Sequence, residues 1–310
     1  MNLWQNYIRP KTLSEAMDAF ATAPRPLLPI AGGTDLLLDL EQGRHAPVQT
    51  LIDVTSIAEM TRLEIAGEEL FIGASVPVNR VATTPVVAHH AQALTEACNL
   101  IAGPQVRNVA TLGGNVAHAL PAADGTIALL AVDAQAEIAS AGRVAPSGSE
   151  ERIETRRISF KELFLGPGKS SLKHGEELLV GFYIPIKTPE FFKNSEVSRV
   201  SSCFKRIMRP QGVALPILNC AVWLERERDT IKDIRIAVGP GGGTPFRATQ
   251  AEDTLRGKSF NTTTFESATE ALLAQAQFRT SARRASADYR QHIVVSLFKD
   301  VIETTWSRAG

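Results

Sequence analysis

The chain has 310 residues, enough for two domains or one large one whose core needs no disulfide or structural metal. Its 33 Lys+Arg balance 33 Asp+Glu, so the net charge is zero. That balance argues against a nucleic-acid binder whose affinity rests on phosphate neutralisation, and at first sight against any polyanionic ligand.

The elements follow in chain order. Thr12-Leu13-Ser14-Glu15 reads as a capping box, and Leu13, Ala16, Met17 and Phe20 predict a helix over 13–22. Leu27 to Ala31 predicts a strand running into Gly32-Gly33, and Thr50 to Val54 a second one. Leu63–Ile65 and Leu70–Gly73 flank Ala66-Gly67-Glu68-Glu69, which suggests a hairpin with a four-residue loop. Pro77 suits the first turn of a helix. A single longer helix is expected from Val86 to Ile101, stopped at Gly103-Pro104.

Thr126 to Val132 predicts a helix and Glu137–Ala139 a strand; 141–154 is polar and reads as a surface loop. Leu178 to Ile184 predicts a strand. The stretch 187–199 reads as a linker and the best domain boundary. Strands are expected at Ser201–Ile207, Leu218–Glu225 and Ile231–Val238, then helices at 247–256 and 264–277. In the last helix Ile293, Leu297 and Val301 step by four beside Val294, Phe298 and Ile302, an apolar stripe for the core.

Chemistry-bearing patterns are few. Cys98, Cys203 and Cys220 form no CxxC and read as buried free thiols, and the six histidines make no zinc spacing. The N-terminus lacks a signal-peptide pattern, and the run Ile127–Val132 is far short of the ~20 residues of a spanning helix. The expectation is a cytoplasmic protein with no membrane span and no nucleic-acid partner.

Three Gly-rich segments stand out: Ala31-Gly32-Gly33-Thr34-Asp35, Thr111-Leu112-Gly113-Gly114-Asn115 and Gly239-Pro240-Gly241-Gly242-Gly243. None fits GxGxxG, since Thr244 stands where the last glycine of the third should be. Walker A fails too, with Leu163 and Glu252 in place of the first glycine. Adjacent glycines still let successive backbone N–H groups converge on an anion, and Thr34, Thr111 and Asn115 add polar side chains. Taken alone, each pair reads as a tight turn sooner than as an anion site.

Taken together, Ala31–Leu36, Thr111–Asn115 and Pro121-Ala122-Ala123-Asp124 closely resemble the FAD-binding subunit of the molybdenum hydroxylases, of xanthine dehydrogenase and carbon monoxide dehydrogenase type. The resemblance continues in Thr244-Pro245-Phe246-Arg247-Ala248 and in Arg284 to Arg290, and so covers nearly the whole chain. It implies an α+β protein: a two-part FAD-binding domain of the PCMH type over 1–188, then a small C-terminal domain over 198–308 with a three-stranded antiparallel sheet plus helices.

The resemblance also implies the site. Pro29, Ile30, Ala31, Gly32, Gly33, Thr34, Asp35 and Leu36 match the loop that wraps the FAD pyrophosphate. Thr111, Leu112, Gly113, Gly114 and Asn115 match the second phosphate loop. Asp124, Ile101, Leu179 and Lys205 match positions near the cofactor. On their own, Ile101 and Leu179 read equally as core residues, Lys205 as a solvated charge and Asp124 as a helix cap.

Departures from the family pattern fall after the lysine, where 209–215 carries Pro210 and no acidic residue, and before it, where Cys203-Phe204 replaces a tyrosine. No cysteine lies between 98 and 203, so the iron–sulfur insertion of one branch is missing. The implied function is an oxidoreductase subunit that takes electrons from a two-iron iron–sulfur small subunit. The substrate would be oxidised on a molybdopterin-binding large subunit, the whole being a dimer of heterotrimers. The alternatives are a self-sufficient FAD-dependent oxidase or dehydrogenase, and a binding protein that has lost FAD.

Overall fold

The structure is a computed structural model that describes residues 2–141, 153–187, 198–209, 215–282 and 284–310. The first part of the chain runs β1 (Asn6–Ile8), α1 (Leu13–Thr22), β2 (Leu27–Ile30), α2 (Leu36–Glu41) and β3 (Thr50–Asp53). The strands form a parallel sheet in the order β1-β3-β2. Helix α1 has the expected bounds, because its buried face is Leu13, Ala16, Met17, Ala19 and Phe20. Thr12 Oγ1 accepts from Glu15 N at 3.2 Å, but the Glu15 carboxylate turns to Lys11 N at 2.6 Å. Only one side of the expected capping box closes.

The second part begins with β4 (Leu63–Ala66) and β5 (Glu69–Gly73), a hairpin with Ala66 paired to Glu69. The loop is therefore two residues long rather than four, since Gly67, at φ +65°, turns the chain tightly. Helices α3 (Val78–Thr83), α4 (Pro85–His90), α5 (Gln92–Leu100), α6 (Pro104–Arg107), α7 (Leu112–Ala117) and α8 (Asp124–Ala131) follow. The single helix expected over 86–101 is split. Ala91 leaves helical geometry at φ −144°, ψ 57°, and α5 sets off in a new direction to pack on the later sheet. Pro104 is a start, opening α6 at its first turn.

Strands β6 (Gln135–Ala141), β7 (Ile153–Ser159), β8 (Phe164–Gly166), β9 (Lys169–Ser170) and β10 (Glu177–Pro185) complete this part. A five-stranded antiparallel sheet has the order β4-β5-β10-β6-β7. Ala141 and Glu154, expected in a surface loop, lie in strands; residues 142–152 between them fall outside the described residues, as does most of the expected linker. Every residue of α8 is buried, which explains its lack of a polar face.

The last part is a meander of β11 (Ser198–Ile207), β12 (Leu218–Glu227) and β13 (Thr230–Gly239), joined at its edge by β14 (Phe246–Arg247). The sheet therefore has four strands, not three. The added strand makes only two pairings, too short a run to leave an alternating pattern. Helices α9 (Thr249–Leu255), α10 (Thr262–Gln275) and α11 (Ala287–Arg308) cover one face.

This sheet is buried on both faces, and the period-2 alternation of its strands decides which residue goes where. Cys203, Cys220, Val222, Ile236 and Val238 join Val294, Phe298 and Val301 of α11 in one core. Their neighbours Phe204, Ala221, Trp223 and Ala237 face the other way and belong to the core of the first two parts. Helices α5 and α8 pack on that face.

All three cysteines are free and buried, and burial raises their thiol pKa values, that of Cys203 to about 12. They carry no thiolate chemistry near neutral pH. Among the described residues no helix is long and apolar enough to cross a membrane.

Candidate cofactor-binding site

The two N-terminal Gly-rich segments meet. The first turns out of β2 and enters α2, with Gly33 at φ +68°, a conformation that glycine alone adopts cheaply. Gly32 lies flat against the backbone of Val109 and Ala110, where any Cβ would overlap the Val109 carbonyl oxygen. Ala110 leads directly into the second segment. The contact is a backbone-on-backbone approach that only glycine permits.

The second segment is fixed by the stretch that joins β5 to α3. Leu112 N donates to Val76 O at 3.1 Å, Gly113 N to Ala74 O at 2.9 Å, and Val78 N to Ala110 O at 2.8 Å. Gly113 sits directly on Ala74, with no room for a side chain. Ala74 N in turn donates to Val180 O at 2.8 Å, which ties the loop to β10 beside the buried Leu179. Thr111 caps α7, its Oγ1 accepting from Gly114 N at 3.1 Å.

Open donors and an open surface remain. Among the described residues, the N–H groups of Gly32, Gly33, Thr34 and Asp35 donate to no other group. A Cβ on Gly114 would meet only Thr111 Oγ1, at 3.2 Å, so this glycine faces free space. Asn115 Oδ1 is buried without a hydrogen-bond partner. It lies against Gly125, at the start of α8, whose added Cβ would come within 2.8 Å of it. Free backbone N–H groups and a bare glycine form a cradle for a phosphate-bearing ligand, and the orphaned Asn115 Oδ1 beside it can accept from a ligand hydroxyl or N–H.

The row of residues at the N-terminus of α8 continues from there. Asp124 is 4% exposed; Asn219 Nδ2 donates to its Oδ1 at 2.7 Å, and Arg206 pairs with its Oδ2. Burial pushes the Asp124 carboxyl pKa up, while Arg206 and Asn219 pull it back toward the ionised form. Arg206, Asn219 and Gly239 are directly paired neighbours across β11, β12 and β13. The three therefore share one face of the sheet, and Gly239 leaves no space for a Cβ between Asn219 and the Pro121 carbonyl.

The expected site residues divide on this geometry. Residues 31–35, 111–115 and Asp124 are linked by direct contacts through Val109, Ala110 and Gly125. Ile30 is buried in a small core with Val48 and Leu51, and Pro29 and Leu36 flank it in β2 and α2. Ile101 is half-buried between α5 and α6, and its carbonyl accepts from Arg107 Nη1 at 2.9 Å.

Lys205 is not brought to Asp124. Strand alternation turns it to the opposite face, where its Nζ donates to Asp300 Oδ1 at 2.6 Å and Thr304 Oγ1 at 2.9 Å on α11. Arg206 stands in its place, with Nε buried and unpaired. Over 203–206 each side of the alternation carries one apolar and one basic residue, so nothing in the sequence selects the face.

Residues 3–187 match the sequence family described as the FAD binding domain in molybdopterin dehydrogenase. The chain belongs to that family. Residues 202–305 match a second one, the CO dehydrogenase flavoprotein C-terminal domain. The chain is 31% identical to the xanthine dehydrogenase FAD-binding subunit of Escherichia coli O157:H7, over 98% of its own length and 97% of that protein's. It is also 31% identical to the nicotine 6-hydroxylase medium subunit of Paenarthrobacter nicotinovorans, over 97% of each chain. In three dimensions it resembles the carbon monoxide dehydrogenase from Hydrogenophaga pseudoflava that lacks the Mo-pyranopterin moiety of its molybdenum cofactor. The TM-score is 0.85 at 26% identity, covering 99% of this chain and 98% of the other.

This member of the FAD-binding family is an oxidoreductase flavoprotein, and its cradle fits the cofactor. FAD carries a dianionic pyrophosphate, and the free N–H groups of 32–35 and the bare face of Gly114 are suited to it. These groups add no formal charge, which reconciles a polyanionic ligand with a chain of zero net charge.

Proposed function

We propose that this chain is the flavin-bearing member of a cytoplasmic, molybdenum-containing hydroxylase, assembled as a dimer of heterotrimers. Its partners are a two-iron iron–sulfur small subunit and a molybdopterin-binding large subunit on which the organic substrate is oxidised. The observation that carries this reading is the junction of the two glycine loops at Gly32 and Val109, beside an N-terminal row that leads to Asp124 and Arg206. The proposed division into domains over 1–188 and 198–308 is supported by the two cores on either side of the last sheet.

In this reading Gly32, Gly33, Thr34 and Asp35 offer N–H groups to one phosphate of FAD. Gly114 and Asn115 lie against the other, and Thr111 holds that loop through its cap. Ile101 and Leu179 give the flavin apolar walls. Asp124, with lone pairs beyond those taken by Arg206 and Asn219, can accept one further hydrogen bond from the cofactor. FAD, when bound, exchanges electrons singly or in pairs and so can join one-electron centres to a two-electron acceptor. No side chain of this chain has to act as nucleophile or general acid.

The test uses the isolated FAD-loaded chain under anaerobic conditions. Addition of aldehydes, purines or N-heterocycles leaves its flavin oxidised, whereas dithionite bleaches it. Tagged chain drawn from its native cell brings with it iron- and molybdenum-bearing partners. Robust turnover of an organic substrate by the isolated chain would instead make it a self-sufficient FAD enzyme.

A further inference from the structure

A second concave site lies at the seam between the Pro121 segment and the start of α11. It is a cavity of about 370 Å³, in the size range of small-molecule sites. Its walls include Leu120, Pro121, Pro167 and Pro240, and its polar lining includes Arg279, Arg284 and Arg290. None of the cofactor-cradle residues at 31–35 or 111–115 lines it.

Three guanidinium groups share this cavity without a counter-charge. Among the described residues none of the three is ion-paired to a carboxylate. Arg290 is only 3% exposed. Its Nε donates to Ile217 O at 3.1 Å and its Nη1 to Arg279 O, which leaves Nη2 without an acceptor among the described residues. Burial and the positive charges of Arg284 and Arg279 lower the pKa of Arg290, the mark of mutual repulsion. The 22-residue helix α11 starts at Ala287 and adds the positive end of its dipole.

Burying a cation next to two others costs free energy unless something offsets it. Its two acceptors, the carbonyls of Ile217 and Arg279, could both be met by uncharged donors, so they do not themselves call for a charge here. An anion in the cavity offsets all three charges at once, and guanidinium groups suit phosphate and carboxylate oxygens in pairs. The proline and leucine walls favour a ligand with an apolar body.

We propose that this cavity is a binding site for a small organic anion, a monophosphate or carboxylate carried on an apolar or aromatic body. Its anionic group pairs with Arg290 Nη2 and with Arg279 and Arg284. The proposal does not depend on the assignment of FAD to the glycine loops.

The experiment is calorimetric titration of the full chain with adenosine monophosphate and with benzoate, each in the presence of saturating FAD. Adenosine and benzamide serve as neutral counterparts. The expected result is binding of at least one anion and of neither neutral compound. The stronger anion identifies which chemistry the site takes. In the R279Q/R284Q variant the affinity falls about tenfold or more, as loss of charge-assisted hydrogen bonds requires. Both of these arginines lie toward the solvent side, and an unchanged unfolding midpoint confirms that the variant folds. R290K, which keeps the charge and loses the fork, weakens binding as well. Binding of neither anion, or equal binding by wild type and R279Q/R284Q, overturns the proposal.

Discussion

Gly114→Val yields a folded chain that holds no FAD. The expectation rests on two separate features of this position. A Cβ here meets only Thr111 Oγ1, at 3.2 Å, so the fold has room for a side chain. In the proposed binding mode the same side chain takes the free space in which a phosphate of FAD would lie against Gly114. Helix propensity in the first turn of α7 also favours valine over glycine, by a few tenths of a kcal/mol. The variant should therefore unfold within a few degrees of wild type and release no flavin on denaturation.

The neighbouring Gly113 and Gly32 are the contrasting cases. A Cβ at either would strike backbone, at Ala74 or Val109, and substitution there disrupts the loop junction itself. Flavin retained by G114V at the wild-type level would remove the second loop from the cofactor site.

The second large effect lies at the seam. Asp124→Ala leaves the Arg206 guanidinium buried without its carboxylate, and removing one partner of a buried pair costs about 3–5 kcal/mol. Arg206→Met leaves the carboxylate with Asn219 alone. The double variant removes both charges, so its loss of stability is well below the sum of the two single losses. Denaturant unfolding of the four proteins gives the comparison. Losses that simply add would mean that Asp124 and Arg206 do not act as a pair. The pair also links α8 to the last sheet, so D124A loosens the contact between the two cores as well as the cofactor row.

Much of this was legible in the residues, and the failures have identifiable causes. Helix α1 and the apolar stripe of α11 were readable because one buried face at helical spacing decides each. The three long strands of the last sheet were readable as apolar runs bounded by turns. The break at Ala91 was not, since neither proline nor glycine marks it; the chain bends there to place α5 on β11. The short strand Phe246–Arg247 exists only by pairing with Ala237 and Val238.

At the site, the glycine pairs carried their own signal, an anion cradle without added charge. Their meeting point did not, because Val109 is an unremarkable residue whose role is a carbonyl placed against Gly32. Lys205 and Arg206 show the limit most clearly. Two adjacent basic residues on a strand buried on both faces must point opposite ways, and only packing decides which one meets Asp124. The arginine cluster at 279–290 likewise needed three dimensions, since only the fold closes proline and leucine walls around it.

In the proposed function everything turns on FAD being held by the two glycine loops. The most direct test is to reconstitute the purified full chain with excess FAD, remove free flavin, denature it and identify what is released by chromatography against FAD and FMN. The expected result is stoichiometric FAD. A chain that releases no flavin, or releases FMN, would contradict it.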